Sequence, residues 1–155
     1  MTTGRIRPKR AIAIASKGGH WAQLCLLLPA LELAEITYVT TDGLLAQKEG
    51  FDRYFEVTDY SQKEPFKVIR GCFELFWIVR RVRPDFAIST GAAPGLVAMA
   101  WARLFGAHTV WVDSLANARQ LSLSGRMAKF VCHTVLSQWP EVAKANGVLY
   151  KGRVV

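Results

Sequence analysis

The amino-acid sequence predicts an α/β fold in which a Rossmann-like, doubly wound parallel sheet is covered by helices. Two observations predict it. Short apolar runs alternate with longer helical stretches along the whole chain, which is the pattern of strand–helix–strand units. The short runs are apolar at nearly every position rather than at every second one, which is typical of strands that are buried on both faces.

The elements follow in order. The first strand is predicted over residues 11–15, and a helix over 20–33 that Pro29 kinks or ends near Leu28. The longest helix is predicted over 65–82, where Pro65 suits the first helical turn. The remaining strands are predicted over residues 36–40, 54–57, 85–89, 109–113 and 134–136. The remaining helices are predicted over residues 43–49, 93–105, 122–130 and 140–146, and the tail 148–155 is predicted to add a last strand.

The length and the charge limit the organisation and the partners. The 155 residues suit one domain over 11–155, preceded by a basic N-terminal arm over 1–10. Lys and Arg number 20 against 12 Asp and Glu, a formal net charge of +8. This excess favours an anionic partner: nucleic acid, a phosphorylated small molecule or a membrane surface. Zinc-finger spacing and an RNP-like aromatic strand are missing, so we expect no nucleic acid.

Cysteine usage and hydropathy predict a cytoplasmic protein. The three cysteines are far apart and form no C-x-x-C pair, so we expect buried free thiols in a reducing compartment. The run "AIAIAS" is too short for a signal peptide. No run reaches the ~20 apolar residues of a membrane span. Any attachment to a membrane is therefore expected to be peripheral.

Four predicted strands end in unusual residues. The segments are "SKGGHW", "TTDG", "STGAAPG" and "VDSLANARQLSLSG". Ligands of open parallel sheets bind outside the carboxyl ends of the strands, at the point where the strand order reverses. The first and third segments flank the expected switch point, so the sequence predicts two glycine-containing turns that face one crevice.

The segment "SKGGHW" suits an anion-binding turn. Gly18 and Gly19 let the backbone turn tightly and approach a ligand, and the N–H groups of the next helix suit a phosphate. The letters match neither Walker A nor G-x-G-x-x-G. The helix dipole opposes a positive charge on His20, which favours a neutral imidazole acting as hydrogen-bond partner or base. A purely structural turn with a solvated His20 is the alternative.

The segment "STGAAPG" is predicted to be a second strand-to-helix entry. Thr90 can cap the helix, Gly91 allows close approach of a ligand, and Pro94 suits the first helical turn. A purely structural turn explains these residues as well.

The segment "VDSLANARQLSLSG" is the densest polar stretch beside a strand end. Asp113 and Ser114 stand where a ligand hydroxyl could be recognised, and Asn117 and Arg119 could contact a sugar or a phosphate. The alternative is a solvated loop in which Ser122 or Ser124 caps the next helix.

The long helix and its flank, "PFKVIRGCFELFWIVRRVRPD", combine aromatic residues with four arginines. One interpretation is an interfacial helix, with its aromatic side in lipid and its arginines on headgroups, assisted by the basic arm. The other is a buried helix whose arginines complement the dipole at its C-terminus.

Several classes of enzyme are excluded because their motifs are absent from the sequence. The sequence has no serine nucleophile elbow, no H-E-x-x-H and no kinase set. The three histidines have no metal-ligand spacing, so we expect no metal site.

Four segments in this order carry a family resemblance: "ASKGGHWAQL", "ISTGAAPG", "VWVDSLANARQLSLSGRM" and "SQWPEVAKANGVLYKG". They resemble the Alg-fourteen-like oligosaccharide biosynthesis family, whose bacterial branch includes PssD-type exopolysaccharide proteins. The resemblance covers about residues 11–152, nearly the whole chain.

The resemblance implies the N-terminal, acceptor half of a GT-B glycosyltransferase, split off as a separate chain. A UDP-sugar is the donor, held mostly by an Alg-thirteen-like (PssE-type) partner subunit, and no cofactor is bound tightly. The acceptor is a polyprenyl-diphosphate-linked saccharide on the cytoplasmic face of the membrane, to which the chain docks. The chain alone is expected to be inactive.

The resemblance also implies residue roles. The catalytic candidates are His20 and Asp113, either of which could take the proton of the acceptor hydroxyl. The substrate-binding candidates are Ser16, Gly18, Gly19, Thr90, Gly91, Ser114, Asn117 and Arg119. The late motif supplies packing or partner contacts through Gln138, Trp139 and Pro140. Many members have Glu where Asp113 stands and Arg where Asn117 stands.

Two other functions fit the same sequence. The chain could be a non-catalytic membrane scaffold that only recruits and activates the catalytic subunit. It could also be an unrelated nucleotide-binding Rossmann protein, for which Asp42 after the second strand would be the ribose ligand.

Overall fold

The computed structural model describes residues 7–60 and 63–154. Six parallel strands form one sheet in the order β3-β2-β1-β4-β5-β6. The strands are β1 Lys9–Ala15, β2 Ala34–Thr40, β3 Tyr54–Glu56, β4 Phe86–Ser89, β5 His108–Val112 and β6 Thr134–Leu136. The α-helices are α1 Gly19–Leu27, α2 Gly43–Lys48, α3 Pro65–Val82, α4 Ala92–Leu104, α5 Leu123–Val131 and α6 Pro140–Asn146. This confirms the doubly wound, Rossmann-like prediction.

The structure confirms that the helix predicted over 20–33 is ended near Leu28 by Pro29. Helix α1 ends at Leu27, and Pro29 lies in a 3-10 helix over Leu28–Leu31. Proline has no N–H to donate and its ring crowds the preceding turn, so the α-helix cannot pass through this position.

The tail is different from the prediction. The last strand predicted over 148–155 does not form in the described part of the tail, 148–154, where one isolated bridge joins Leu149 to Leu136. At the other end, β1 begins two residues earlier than predicted, because Lys9 and Arg10 pair with Ala34 and Glu35 of β2. The basic arm predicted over 1–10 therefore lies partly in the sheet, and its residues 1–6 are outside the described residues.

Alternate residues of β1 face two different cores. Ile12 and Ile14 pack in a cluster with side chains of α3 and α4, whereas Ala13 and Ala15 pack in a cluster with α1 and α2. The strands are therefore buried on both faces, which explains their continuous apolar runs. The cysteines are free, as predicted, with Cys132 buried and Cys25 and Cys72 partly exposed. Burial raises the pKa of the Cys132 thiol to about 11.

The switch point of the sheet lies between β1 and β4. Helix α1 follows β1 and helix α4 follows β4, so both helices begin at the carboxyl edge of the sheet, on either side of this point. All six strands are parallel, and the polar segments after β1, β4 and β5 therefore meet at one edge.

Candidate functional site

The turn after β1 presents backbone N–H groups without a side-chain cap. Gly18 is the N-cap of α1 with φ of 80° and ψ of −140°, a conformation that glycine adopts at little cost. Gly91 is the N-cap of α4 and likewise has no side chain to bond the first turn. By contrast, Asp42 caps α2 and Ser122 caps α5. The two helices that begin at the switch point therefore keep free N–H groups and the positive ends of their dipoles.

His20 and Thr90 join these two helix starts by a reciprocal pair of hydrogen bonds. The Thr90 hydroxyl donates to the His20 carbonyl oxygen at 2.6 Å, and His20 Nδ1 lies 2.9 Å from the Thr90 carbonyl oxygen. A carbonyl oxygen only accepts, so Nδ1 carries the hydrogen. In the neutral ring the lone pair is then on Nε2, the atom that a base needs. His20 is partly exposed, so a ligand can reach it.

Gly91 is required by the position of the imidazole. A Cβ at Gly91 would overlap the His20 ring, and its φ is 146°. Ala92 has φ of 69°, which is unfavourable for a residue with a side chain. Two consecutive residues with positive φ indicate strain at this turn, and strain of this kind clusters at ligand sites.

Asp113 is buried and its carboxylate is saturated. It is 1% exposed. Oδ1 accepts from Trp111 Nε1 at 3.2 Å and from the Ser122 hydroxyl at 2.6 Å, while Oδ2 accepts from Asn117 Nδ2 at 3.2 Å and from the Ser122 N–H at 2.9 Å. A Cβ at Gly125 would overlap this carboxylate. The geometry makes Asp113 the anchor of the loop between β5 and α5.

Gln23 connects the two parts of the site, and sequence reasoning missed it. Its Oε1 accepts from the Leu115 N–H at 3.0 Å and from Gln138 Nε2 at 2.8 Å, and its Nε2 donates to the Ser114 hydroxyl at 3.2 Å. Gln23 lies three residues after His20, on the same face of α1. That spacing within "GGHWAQL" is the signal that could have found it.

The late motif, Gln138, Trp139 and Pro140, makes its contacts with other parts of the chain. Gln138 is buried, donates to the Asp113 carbonyl oxygen at 3.0 Å and accepts from the Val154 N–H at 3.0 Å. Trp139 Nε1 donates to the Leu115 carbonyl oxygen at 2.7 Å, and the Arg153 guanidinium lies 4.0 Å from its ring centre. Pro140 is the first residue of α6. These contacts hold the β5–α5 loop and the tail together.

The remaining candidates are placed as follows. Ser16 is nearly buried at the end of β1, Asn117 bonds Asp113, and Arg119 is exposed on the loop. Asp42 Oδ1 accepts from the Leu44 N–H at 3.1 Å, so at least one of its oxygens is used to cap α2. Residues 7–60 and 63–154 contain no group of three or more His, Cys, Asp and Glu side chains that could hold a metal ion.

Helices α3, α4 and α5 form an outer layer with an unusual surface. Helix α3 buries Leu75, Ile78 and Val79 but exposes a stripe at spacings of three and four residues: Phe66, Ile69, Phe73 and Trp77. Helix α5 exposes Leu123, Met127 and Phe130 in the same way. The three helices carry seven cations and one carboxylate, Glu74. Helix α3 is therefore buried on one side, as the second sequence interpretation expects, and leaves aromatic and aliphatic side chains exposed on the other.

The fold and the polar residues at the carboxyl edge of the sheet define a doubly wound, Rossmann-like α/β protein. The structure resembles that of Acinetobacter baumannii MurG with a TM-score of 0.73 and 14% identity, covering 87% of this chain and 43% of that one. It also resembles Rickettsia bellii UDP-N-acetylglucosamine 2-epimerase with a TM-score of 0.71 and 11% identity, covering 94% and 45%. At these identities the likeness concerns the fold.

The chain belongs to the Alg14-like oligosaccharide biosynthesis family, whose model matches residues 12–154. It is 24% identical to the UDP-N-acetylglucosamine transferase subunit ALG14 of Eremothecium gossypii, over 91% of this chain and 77% of that protein. It is 30% identical to a Clostridium novyi protein over 81% of this chain and 38% of the relative. That relative is the UDP-N-acetylglucosamine–N-acetylmuramyl-(pentapeptide) pyrophosphoryl-undecaprenol N-acetylglucosamine transferase. The chain thus spans about two-fifths of the length of such transferases, and it is related to glycosyltransferases. In the described residues, no helix has the length and hydropathy needed to cross a membrane.

Proposed function

We propose that the chain is the acceptor-binding and membrane-recruiting subunit of a two-chain glycosyltransferase. In this proposal a sugar passes from a UDP-sugar to a polyprenyl-diphosphate-linked saccharide, in exopolysaccharide or lipid-linked oligosaccharide biosynthesis. The observation that carries it is the His20–Thr90 pair at the switch point, in which His20 Nδ1 is bonded to the Thr90 carbonyl oxygen and the ring lies between two uncapped helix starts.

The extent of the similarity supports a divided enzyme. The chain covers 77% of the Eremothecium gossypii transferase subunit but only 38% of the Clostridium novyi transferase. It therefore corresponds in size to one half of a GT-B enzyme, and we assign it the N-terminal, acceptor half. An Alg-thirteen-like (PssE-type) subunit would supply the other half and hold most of the UDP-sugar, with no tightly bound cofactor.

The proposed reaction is an inverting transfer. The acceptor hydroxyl oxygen bonds to the anomeric carbon, the bond from that carbon to the UDP oxygen breaks with its electron pair on UDP, and the hydroxyl proton goes to a base. His20 Nε2 is the proposed base, and the Thr90 carbonyl oxygen holds the opposite ring nitrogen. The same contact stabilises the imidazolium after proton uptake.

The diphosphate of the acceptor suits the uncapped helix starts. The first-turn N–H groups after Gly18 and Gly91 have no side-chain cap, and such helix starts favour anions. Ser16 and Gly19 flank this position on the β1 side. Together these groups would hold the diphosphate so that the saccharide extends toward the β5–α5 loop.

The β5–α5 loop is proposed to bind the saccharide. Four donors occupy the Asp113 carboxylate, so its role is to position Ser114 and Asn117 rather than to accept a proton. Arg119 is exposed on this loop and is free to contact the acceptor.

The outer helical layer is proposed to lie on the inner face of the cell membrane. The α3 stripe is strongly exposed, with Phe66 at 85%, and would enter the acyl region, while the surrounding cations contact anionic headgroups. The protein is then peripheral, and the acceptor lipid can reach the crevice from the same membrane.

The test is reconstitution with a partner chain of the Alg-thirteen-like class. Each purified chain and the pair are given a panel of labelled UDP-sugars and membranes that contain polyprenyl-diphosphate-linked acceptors, and lipid-linked label is measured. We expect transfer by the pair only. Transfer by this chain alone would overturn the divided-enzyme proposal.

A non-catalytic scaffold is a second candidate, favoured by the saturation of Asp113 and by the large apolar face of α3. It predicts that His20→Ala leaves the rate of the reconstituted pair unchanged while the complex still forms. Loss of transfer with intact complex formation would exclude it.

A further inference from the structure

The amino edge of the sheet carries a basic pocket that the proposed reaction does not use. It lies at the end of the sheet opposite His20, where β1 begins and α3 ends. Its volume is about 500 Å³, and its polar lining is formed by Lys9, Arg10, Arg80, Arg83 and Asp85. Phe105 forms an apolar wall. We call this the amino-edge pocket.

The charges of the amino-edge pocket are not neutralised internally. Within residues 7–60 and 63–154, none of its four cations has a carboxylate within 4 Å. Arg10 Nε is buried and has no hydrogen-bond partner among those residues. A ligand in the pocket cannot reach that atom; it is the four cations around the pocket that favour an anion with several acceptor oxygens.

Asp85 does not cancel this charge. Its carboxylate accepts from the Arg10 backbone N–H at 2.9 Å and pairs with the Arg7 guanidinium at 3.3 Å. The backbone hydrogen bond above all, and the charges of Arg7, Lys9 and Arg10, lower the pKa of Asp85. The carboxylate therefore offsets part of the charge of the pocket and shares it with Arg7. The carboxyl end of α3 adds only about half a negative charge, so the pocket remains strongly positive.

Arg83 has a conformation that argues for a use of its side chain. It ends α3 with φ of 49° and ψ of 63°, in the left-handed region. Glycine is the usual residue at such a helix end, and a side chain there costs about 1 kcal/mol. Arg83 lines the amino-edge pocket, and backbone strain of this kind is found more often at binding sites than elsewhere.

The amino-edge pocket is continuous with the apolar surface of the outer helical layer. Its wall residue Phe105 packs against Phe76, and the guanidinium of Arg80 lies 5.9 Å from the ring centre of Trp77, which belongs to the exposed stripe. A ligand that combines a phosphate group with an apolar body matches this juxtaposition.

We infer that the amino-edge pocket binds the phosphate group of an anionic phospholipid headgroup while the α3 stripe lies in the acyl region. The inference rests on the proposed membrane docking of α3 and adds a discrete site to it. Such a site would fix the tilt of the domain, because it lies at the end of the sheet opposite the crevice.

The experiment measures the binding of the full chain to vesicles of phosphatidylcholine with 30% phosphatidylglycerol, by flotation at physiological salt. The test variant is R80Q/R83Q, which removes two exposed guanidinium groups and retains the folded core. The matched control is K48Q/K144Q, which removes the same charge from helices outside the outer layer. We expect R80Q/R83Q to bind about tenfold or more weakly, and the control less than threefold. If both double variants lost vesicle binding to the same extent, the proposal that the amino-edge pocket binds a headgroup would be overturned.

Two further experiments distinguish a lipid headgroup from a soluble phosphate compound as the ligand of the pocket. In the first, oleate replaces phosphatidylglycerol at the same surface charge, so that the vesicles carry no anionic phospholipid. R80Q/R83Q and the control should then bind equally well. If R80Q/R83Q still bound more weakly than the control, phosphate recognition would be overturned. Inorganic phosphate is titrated calorimetrically into the chain. The lipid assignment would be overturned if the chain bound phosphate with a submillimolar Kd, R80Q/R83Q abolished that binding, and R80Q/R83Q still bound vesicles like wild type. The pocket would then be assigned to a soluble phosphate compound.

The variant F73S/W77S tests the underlying docking independently. Loss of vesicle binding is expected. Unchanged vesicle binding would contradict the proposal that α3 docks on the membrane, whatever the result for the amino-edge pocket.

Discussion

Two polar residues that follow strands at the same edge of the sheet have opposite surroundings. His20, after β1, uses one ring nitrogen in a hydrogen bond and is partly exposed. Asp113, after β5, accepts four hydrogen bonds and is 1% exposed. The comparison shows that a polar residue after a strand can either bind a ligand or hold a loop in place. It is available to a ligand when its partners leave an atom free, and it anchors a loop when they do not.

The largest expected effect is on catalysis at His20. Replacing His20 with Ala removes the proposed base, and transfer by the reconstituted pair should fall by about 10²–10⁴-fold. The free energy of unfolding should change by only about 1 kcal/mol, since the ring is partly exposed. Initial rates and urea denaturation measure the two effects.

Two further variants sharpen this result. His20→Gln keeps a donor for the Thr90 carbonyl oxygen but cannot take a proton, so a rate near wild type would make residue 20 a binder rather than a base. His133→Ala, at the start of β6 and far from the crevice, should leave the rate unchanged.

Asp113→Ala should show the reverse pattern, with stability affected first. The substitution leaves the buried donors of Trp111 and Ser122 without acceptors. We expect a loss of about 3 kcal/mol in the free energy of unfolding, measured by urea denaturation. Asp113→Asn keeps one acceptor oxygen and should lose about half as much. A loss below about 0.5 kcal/mol for the alanine variant would contradict the anchoring role.

Gly91→Ala should displace the imidazole. The new Cβ would overlap the His20 ring in addition to the cost of its positive φ, and we expect a loss of about 2 kcal/mol together with reduced transfer. Gly106→Ala is the matched control, because its φ is 87° and nothing lies within 4 Å of the new Cβ. Equal losses in both variants would show that the imidazole imposes no requirement on Gly91. Thermal unfolding of the two variants makes the comparison.

Ser122→Ala should weaken the anchor from the other side. Its hydroxyl donates to Asp113 and accepts from the Gly125 N–H at 2.8 Å, capping α5. We expect a loss of about 1–2 kcal/mol in the free energy of unfolding. Ser124→Ala, one residue inside the same helix, should change it by less than about 0.5 kcal/mol. Equal effects would refute the capping role.

The smallest effect concerns Asp85, a partly exposed carboxylate at the amino edge of the sheet. The backbone hydrogen bond from Arg10 and the nearby cations lower its pKa below the ordinary value of 3.8. Its contribution to stability is therefore present above about pH 4 and is lost as the pH falls through the lower, folded-state pKa. Asp85→Asn should lower Tm slightly at pH 7, and the difference from wild type should vanish near pH 2. A difference that persists at pH 2 would exclude the carboxylate as its cause.

The sequence predicted the elements well where local signals were complete. Helix α3 was predicted over 65–82 and β6 over 134–136, as observed, because a proline at the helix start and a short apolar run are local features. The end of the first helix near Leu28 was also predicted correctly, because the effect of Pro29 on a helix is local. The predicted last strand failed because Leu149 reaches Leu136 in a single bridge.

The sequence also located the candidate site, since residues after parallel strands must meet at the carboxyl edge. The structure brings three of the predicted candidates, His20, Thr90 and Gly91, into contact. The sequence did not identify Gln23, because the bonds of Gln23 to Leu115 and Gln138 connect positions that are 92 and 115 residues apart.

What the sequence by itself determined is therefore the order of strands and helices and the set of polar residues at one edge, because periodicity and turn chemistry act over a few residues. Only the tertiary structure decided which of those residues remain available. The proton on His20 Nδ1 depends on the Thr90 carbonyl oxygen, 70 residues away. The saturation of Asp113 depends on a loop that folds back on it from Ser122. A hydrogen bond needs its two atoms about 3 Å apart, and such distances between remote residues are set by packing.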